Sequence, residues 1–152
     1  MNREKLKGLY QKYELTPEDI FTKDIGYGDN KKTFTIITRS GIEKIQAKEN
    51  ITINYEVIKC EINFSVIKAN AFVQTKPNTI IESFGSALKG ATFKEGNCQS
   101  WYVMEMAEKR ALSRAVLKLT GFYQLGVFSE DESEDFKKTN KIDKEKLINL
   151  NK

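Results

Sequence analysis

Residues 101–121, WYVMEMAEKRALSRAVLKLTG, constrain the fold of this chain most, because they form one long stretch without proline or internal glycine. The stretch is dense in Ala, Leu, Met, Glu, Lys and Arg, which lose little side-chain freedom in a helix, so it predicts a helix. Ser100 stands where a cap is wanted and Gly121 where a left-handed terminus is wanted. Ala107, Ala111 and Ala115 recur every fourth residue and, with Leu112, Val116 and Leu119, make an apolar stripe that can lie close on a sheet. Arg110, Arg114 and Lys118 form a second row beside it. A helix with one face on a sheet and a basic row toward a groove suits a phosphate backbone. The same residues also suit a solvated helix surface, with pairs such as Glu105 and Lys109 one turn apart.

At 152 residues the chain has room for one domain with a real core. Residues 1–128 are expected to form that domain and residues 129–152 a charged C-terminal tail. No apolar run approaches a membrane span, so no membrane partner is expected. Histidine is absent, and Cys60 and Cys98 lie far apart, which removes His-based triads and zinc spacing. No metal and no cofactor are therefore expected. Two cysteines so far apart, with no charged leader before an apolar core, suggest a reducing, cytoplasmic setting. The net charge is +4, but residues 129–152 hold seven acidic against six basic side chains, which leaves the body near +5. That balance suits an anionic partner.

Along the chain, Leu6, Leu9, Tyr10 and Tyr13 have helical spacing. Thr16-Pro17-Glu18-Asp19 resembles a second helix start, with a cap, Pro at the first position and acids in the first turn. Residues 26–30 read as a turn. TFTIIT at 33–38 predicts a strand, and Ser40 with Glu43 a capping box for a short helix to about Asn50. Ile51, Ile53, Tyr55 and Val57 alternate with polar residues. A second alternation runs through Ile62, Phe64 and Val66, then changes phase to Ala69, Ala71 and Val73. A third strand spans about residues 79–84. Successive strands joined by turns favour an antiparallel meander. Residues 85–100, with Gly85, Gly90 and Gly96 among Lys89 and Lys94, predict a flexible basic loop whose backbone N–H groups can approach phosphates. Phe122, Tyr123, Leu125, Val127 and Phe128 suggest core or subunit contact, and SEDESED at 129–135 a solvated run. Ile142, Leu147, Ile148 and Leu150 give the C-terminal end a weak amphipathic pattern. The fold class expected is α+β: an antiparallel β-meander (β-β-β-α core) packed by one long helix, with a preceding strand and short helices.

In this order of elements the chain resembles the single-strand annealing proteins of recombination, of the Rad fifty-two, Sak and Erf type. The residues that carry the resemblance are 33–47 (TFTIITRSGIEKIQA), Ile53-Asn54-Tyr55, the strand ending in Gly85, and Lys109-Arg110-Ala111-Leu112 in the helix closing near Gly121. Residues 121–135, GFYQLGVFSEDESED, are similar to the end of small phage and plasmid proteins carrying a comparable helix. The resemblance implies a homo-oligomeric ring or arc that holds single-stranded DNA in a basic groove. It places Lys109 and Arg110 in that groove, with Arg114 as companion and Arg39 and Lys44 near the path. The chain lacks the family's extended partner-binding tail, which leaves open any recombinase or replication partner.

Annealing needs no catalytic residue, only a groove that neutralises phosphates and leaves base edges free. Lys89, Lys94 and Lys118 add charge, while Trp101 and Tyr102 are candidates to stack bases, or else to staple the helix end to the sheet. The expectation is a non-enzymatic single-stranded DNA-binding and annealing protein of phage or plasmid-type recombination. The alternative is an oligomeric interaction protein of phage replication or anti-defence that keeps the fold without annealing. A metal nuclease built on Glu105, Glu108 or the acids around Asp131 fits less well, because their spacing suits ion pairs with lysines.

Overall fold

The chain's first helix, α1 (Arg3–Lys12), buries Leu6 and delivers Tyr13, 2% exposed, to the core just beyond its end. The rings of Tyr10 and Tyr13 lie 6.2 and 5.8 Å from that of Phe122, which clamps this helix to the later part of the chain. This computed structural model describes residues 3–26, 28–92 and 94–132. The amphipathic pattern expected between Ile142 and Leu150 lies outside the described residues.

Thr16 does not start a helix. Its N–H and Oγ1 both donate to Asp19 Oδ2, at 3.0 and 3.1 Å, and the Asp19 N–H returns to the Thr16 carbonyl. This closes a turn, from which the β-branched and aromatic run that follows extends as β1 (Ile20–Ile25). A short 3-10 turn leads to β2 (Lys32–Ile37), antiparallel to β1 with Ile20 opposite Ile37. Next comes α2 (Arg39–Glu49), capped by Thr38, whose Oγ1 accepts the Gly41 N–H, and not by Ser40 as its spacing suggested. Asn50 ends it in the left-handed region, φ 52°.

The meander follows as β3 (Ile51–Cys60), β4 (Phe64–Val73) and β5 (Ile81–Leu88), antiparallel and in that order. The alternation in β4 runs unbroken: Ser65, Ile67, Ala69 and Ala71 are buried, while Phe64 and Val66 lie on the opposite face. The phase change suggested by Phe64 and Val66 is therefore absent. These two are apolar residues on the uncovered side, beside Phe84 and Leu88, which are 48% and 40% exposed.

The long helix, α3 (Val103–Thr120), packs on the inner face of β4 and β5 and ends at Gly121 with φ 88°. Ala107, Ala111 and Ala115 are fully buried against Ala69, Ala71, Gly85 and Ala87, all small, so helix and sheet approach closely. A Cβ at Gly85 would overlap the Ala107 carbonyl oxygen and the Ala111 nitrogen, which fixes why glycine stands there. After α3 the chain adds β6 (Val127–Ser129) in parallel to β2, making a second sheet ordered β1-β2-β6. The architecture is α+β, with two small sheets and one long helix on the meander. Ile36, Ile37, Ile45, Val116, Leu117, Phe122 and Val127 are fully buried, each contributing on the order of 1.5–3 kcal/mol relative to exposure. Among the described residues no helix is long and apolar enough to cross a membrane.

Candidate nucleic-acid interface

The basic row of α3 meets a strand edge. Among the described residues β5 is the outer strand of its sheet, so alternate backbone groups along it lack a strand partner there. Arg114 Nη1 donates to the Phe84 carbonyl at 3.0 Å, and Arg110 Nη1 to the Ser86 carbonyl at 2.8 Å. Asn97 completes the cover: its Nδ2 donates to the Ser86 carbonyl, and its Oδ1 accepts the Leu88 N–H at 2.7 Å. The Cys98 N–H reaches the Leu88 carbonyl at 3.0 Å. Arg110 Nη2 also holds the Asn97 carbonyl at 2.7 Å, so one guanidinium ties helix, strand and loop together. Arg110 is only 2% exposed. Its expected place in an open groove is thus corrected: Nη1 and Nη2 are spent on backbone carbonyls, and Nε is buried without a partner among the described residues.

The loop from Lys89 to Ser100 is folded by its own backbone. The Gly90 N–H donates to the Cys98 carbonyl, the Glu95 and Gly96 N–H groups to the Thr92 carbonyl, and the Ala91 N–H to Glu95 Oε2. These donors are already used, which corrects the expectation that they would cradle phosphate. Gly85 belongs to β5 and not to the loop. The loop instead presents side chains. Lys89 Nζ stands 4.0 Å from the centre of the Trp101 ring, and Lys94 is exposed on the turn. Trp101 and Tyr102 are 68% and 69% exposed, so they do not staple the helix to the sheet. Ser100 Oγ accepts the Tyr102 N–H at 3.0 Å, while the cap position itself falls to Tyr102, without a side-chain bond.

Lys109 points elsewhere from its neighbour. Half-buried, it lines a cleft of about 370 Å3 between α2 and α3, with Arg39, Glu43, Glu105, Glu108 and Asp131. Acids outnumber bases there, yet among the described residues no three acidic or cysteine side chains come together to hold a metal ion. The nuclease alternative therefore finds no metal cluster among those residues.

Other expected bases are engaged by acids. Lys44 Nζ lies 2.6 Å from Asp19 Oδ2, at the entry to β1. The Arg39 side chain pairs with Asp131 at 3.2 Å, and its N–H donates to Glu130 Oε2. Arg114 Nε pairs with Glu132 Oε1 at 2.5 Å, while Asp131 also accepts from Ser113 Oγ. Residues 129–132 are thus docked on the body, with Ser129 and Glu132 buried and Glu130 exposed, so this part of the acidic run is not a fully solvated loop. Glu132 Oε2 has no partner among the described residues. Lys118 sits in the last turn of α3, 5.4 Å from the Tyr123 ring centre, where a cation also suits the helix dipole.

The structure thus brings Lys89, Trp101 and Tyr102 to one place, sends Lys109 and Arg39 to another, and turns Arg110 and Arg114 toward β5. Sequence reasoning missed Asn97 and the docking of residues 130–132; a lone Asn in a loop carries no signal, but acids directly after an apolar run did. The chain matches no family model, and searches of curated proteins and of solved structures gave no significant match.

Proposed function

We propose that this chain binds single-stranded DNA and promotes annealing of complementary strands, working as an oligomeric ring or arc in phage or plasmid-type recombination. The observation that carries the reading is the exposed aromatic pair Trp101 and Tyr102, two-thirds open to solvent, with Lys89 over the indole. Two adjacent large aromatics left in water offer faces on which bases stack, at roughly 1–3 kcal/mol per base. The neighbouring ammonium groups would neutralise phosphates without reading sequence, which leaves base edges free to find a complement. In this reading Arg110 is a positioning residue: it holds the loop that carries Lys89 and Trp101.

Trp101 is the only tryptophan, so its fluorescence reports the site directly. Adding oligo-dT is expected to quench it, and the chain is expected to accelerate pairing of labelled complementary strands in a salt-dependent manner. Lys89→Ala with Trp101→Ala should weaken both. Neither quenching nor acceleration at low salt would end the proposal.

A second reading, a non-annealing interaction protein of phage replication or anti-defence, is favoured by the carboxylates that occupy Arg39, Lys44 and Arg114. A discrete oligomer in light scattering that ignores every oligonucleotide would favour it.

A further inference from the structure

The two edges of the β3-β4-β5 sheet are unlike. The β5 edge is closed by Arg110, Arg114 and Asn97, whereas among the described residues β3 pairs only with β4, and it is exposed at every residue from Asn54 onward. Tyr55, Val57 and Ile58 are 40%, 55% and 52% exposed, and Ile62 in the following turn 82%. An open strand edge bearing apolar side chains is a template for another strand.

The geometry points to a second copy of this chain, joined by antiparallel pairing of β3 with β3 about a two-fold axis at Tyr55. Ile53, Tyr55 and Val57 share one face, being opposite Ala71, Ala69 and Ile67 of β4. A register centred on Tyr55 sets Tyr55 against its own copy and Ile53 against Val57 on both sides, an apolar ladder on that face. On the other face it sets Asn54 against Glu56. Centring on Glu56 would bring two like charges together, and centring on Asn54 would set Val57 against Ile51, which is already buried in the core at 6% exposed. Centring between residues would oppose side chains from different faces. The irregularity between Val57 and Lys59, which leaves Ile58 unpaired, ends the ladder.

The closed β5 edge decides the symmetry. Head-to-tail extension would need β3 of one copy to meet β5 of the next, where the Phe84, Ser86 and Leu88 carbonyls and the Leu88 N–H are already bonded. The β3 pair instead gives a six-stranded sheet whose outer edges are both capped, so assembly through this contact stops at two. It is separate from the head-to-tail contact a ring requires, and it does not depend on DNA binding.

Cross-linking tests this directly. In paired antiparallel strands, facing Cα atoms are about 4.5–5.5 Å apart, inside the usual disulfide range of about 4.4–6.8 Å. Tyr55→Cys in a Cys60→Ser background should form a covalent dimer under mild oxidation, and Phe84→Cys, on the other face of β5, should not. Val57→Lys, at an exposed position, should keep the circular dichroism spectrum and raise the dimer dissociation constant at least about tenfold in sedimentation. A wild-type chain that sediments as a monomer, or equal cross-linking at Tyr55→Cys and Phe84→Cys, overturns the proposal.

Discussion

Arg110 and Lys109 are adjacent in sequence and point about 100° apart around the helix, as 3.6 residues per turn requires. A family resemblance treats them as a pair, but the fold separates them. Arg110 and Arg114 do form a row, since four helical residues advance about 6 Å. That spacing nearly matches the roughly 6.8 Å between alternate carbonyls of a strand, so the two guanidinium groups meet Ser86 and Phe84 of β5. The periodicity of 101–121 revealed the row; it carried no information on whether the row faced water, phosphate or a strand edge. Arg110→Ala is expected to lower unfolding free energy by about 2–4 kcal/mol, because two charge-assisted bonds are lost and the Asn97 carbonyl loses its guanidinium donor. Trp101→Ala, at an exposed position, should change it by about 0.5 kcal/mol or less. Urea denaturation followed by circular dichroism checks both.

At the scale of elements, the meander and its covering helix were legible because alternation and a four-residue alanine stripe report directly which face is buried. β1 was not legible: Thr16-Pro17-Glu18-Asp19 has the chemistry of a helix start, and only pairing with β2 decides that the next residues extend. In β4 the inward face holds Ser65 while Phe64 and Val66 face outward, so hydrophobicity pointed to the wrong side. The start of β1 is locked to α2 through Asp19, which is 3% exposed. Burial pushes its pKa up, but hydrogen bonds from Lys44 and Thr16 outweigh this and hold the carboxyl below its ordinary 3.8. A depressed carboxylate adds stability above its unfolded pKa and loses that contribution as pH falls through the folded one. The chain should therefore lose stability below about pH 4. Asp19→Asn should be less stable at neutral pH and show a flatter acid limb in thermal melts across pH 2–7, taken as about that span. An acid limb identical to wild type would remove the Asp19–Lys44 link from the account.

Across the whole molecule, a body charge near +5 overstates what an anion would meet, because residues 130–132 are folded back onto two of the cations. Glu130 and Asp131 sit at the start of α2, where backbone N–H groups and the helix dipole would also draw a phosphate. On the proposed function, nucleic acid and the acids after β6 compete for Arg39. Asp131→Asn removes one competitor with little structural change, since the amide oxygen can still accept from Ser113. Each phosphate neutralised on a single strand contributes about 0.7 to the slope of log affinity against log salt. Asp131→Asn should thus tighten oligo-dT binding at low salt and steepen that slope by about 0.7, one further contact. Adding Arg39→Ala should reverse both changes. Fluorescence titrations of Trp101 over a salt series read this out. A slope that stays fixed while Asp131 is neutralised would place Arg39 outside the DNA path and leave its acids with a purely structural role, pinning β6 to α2.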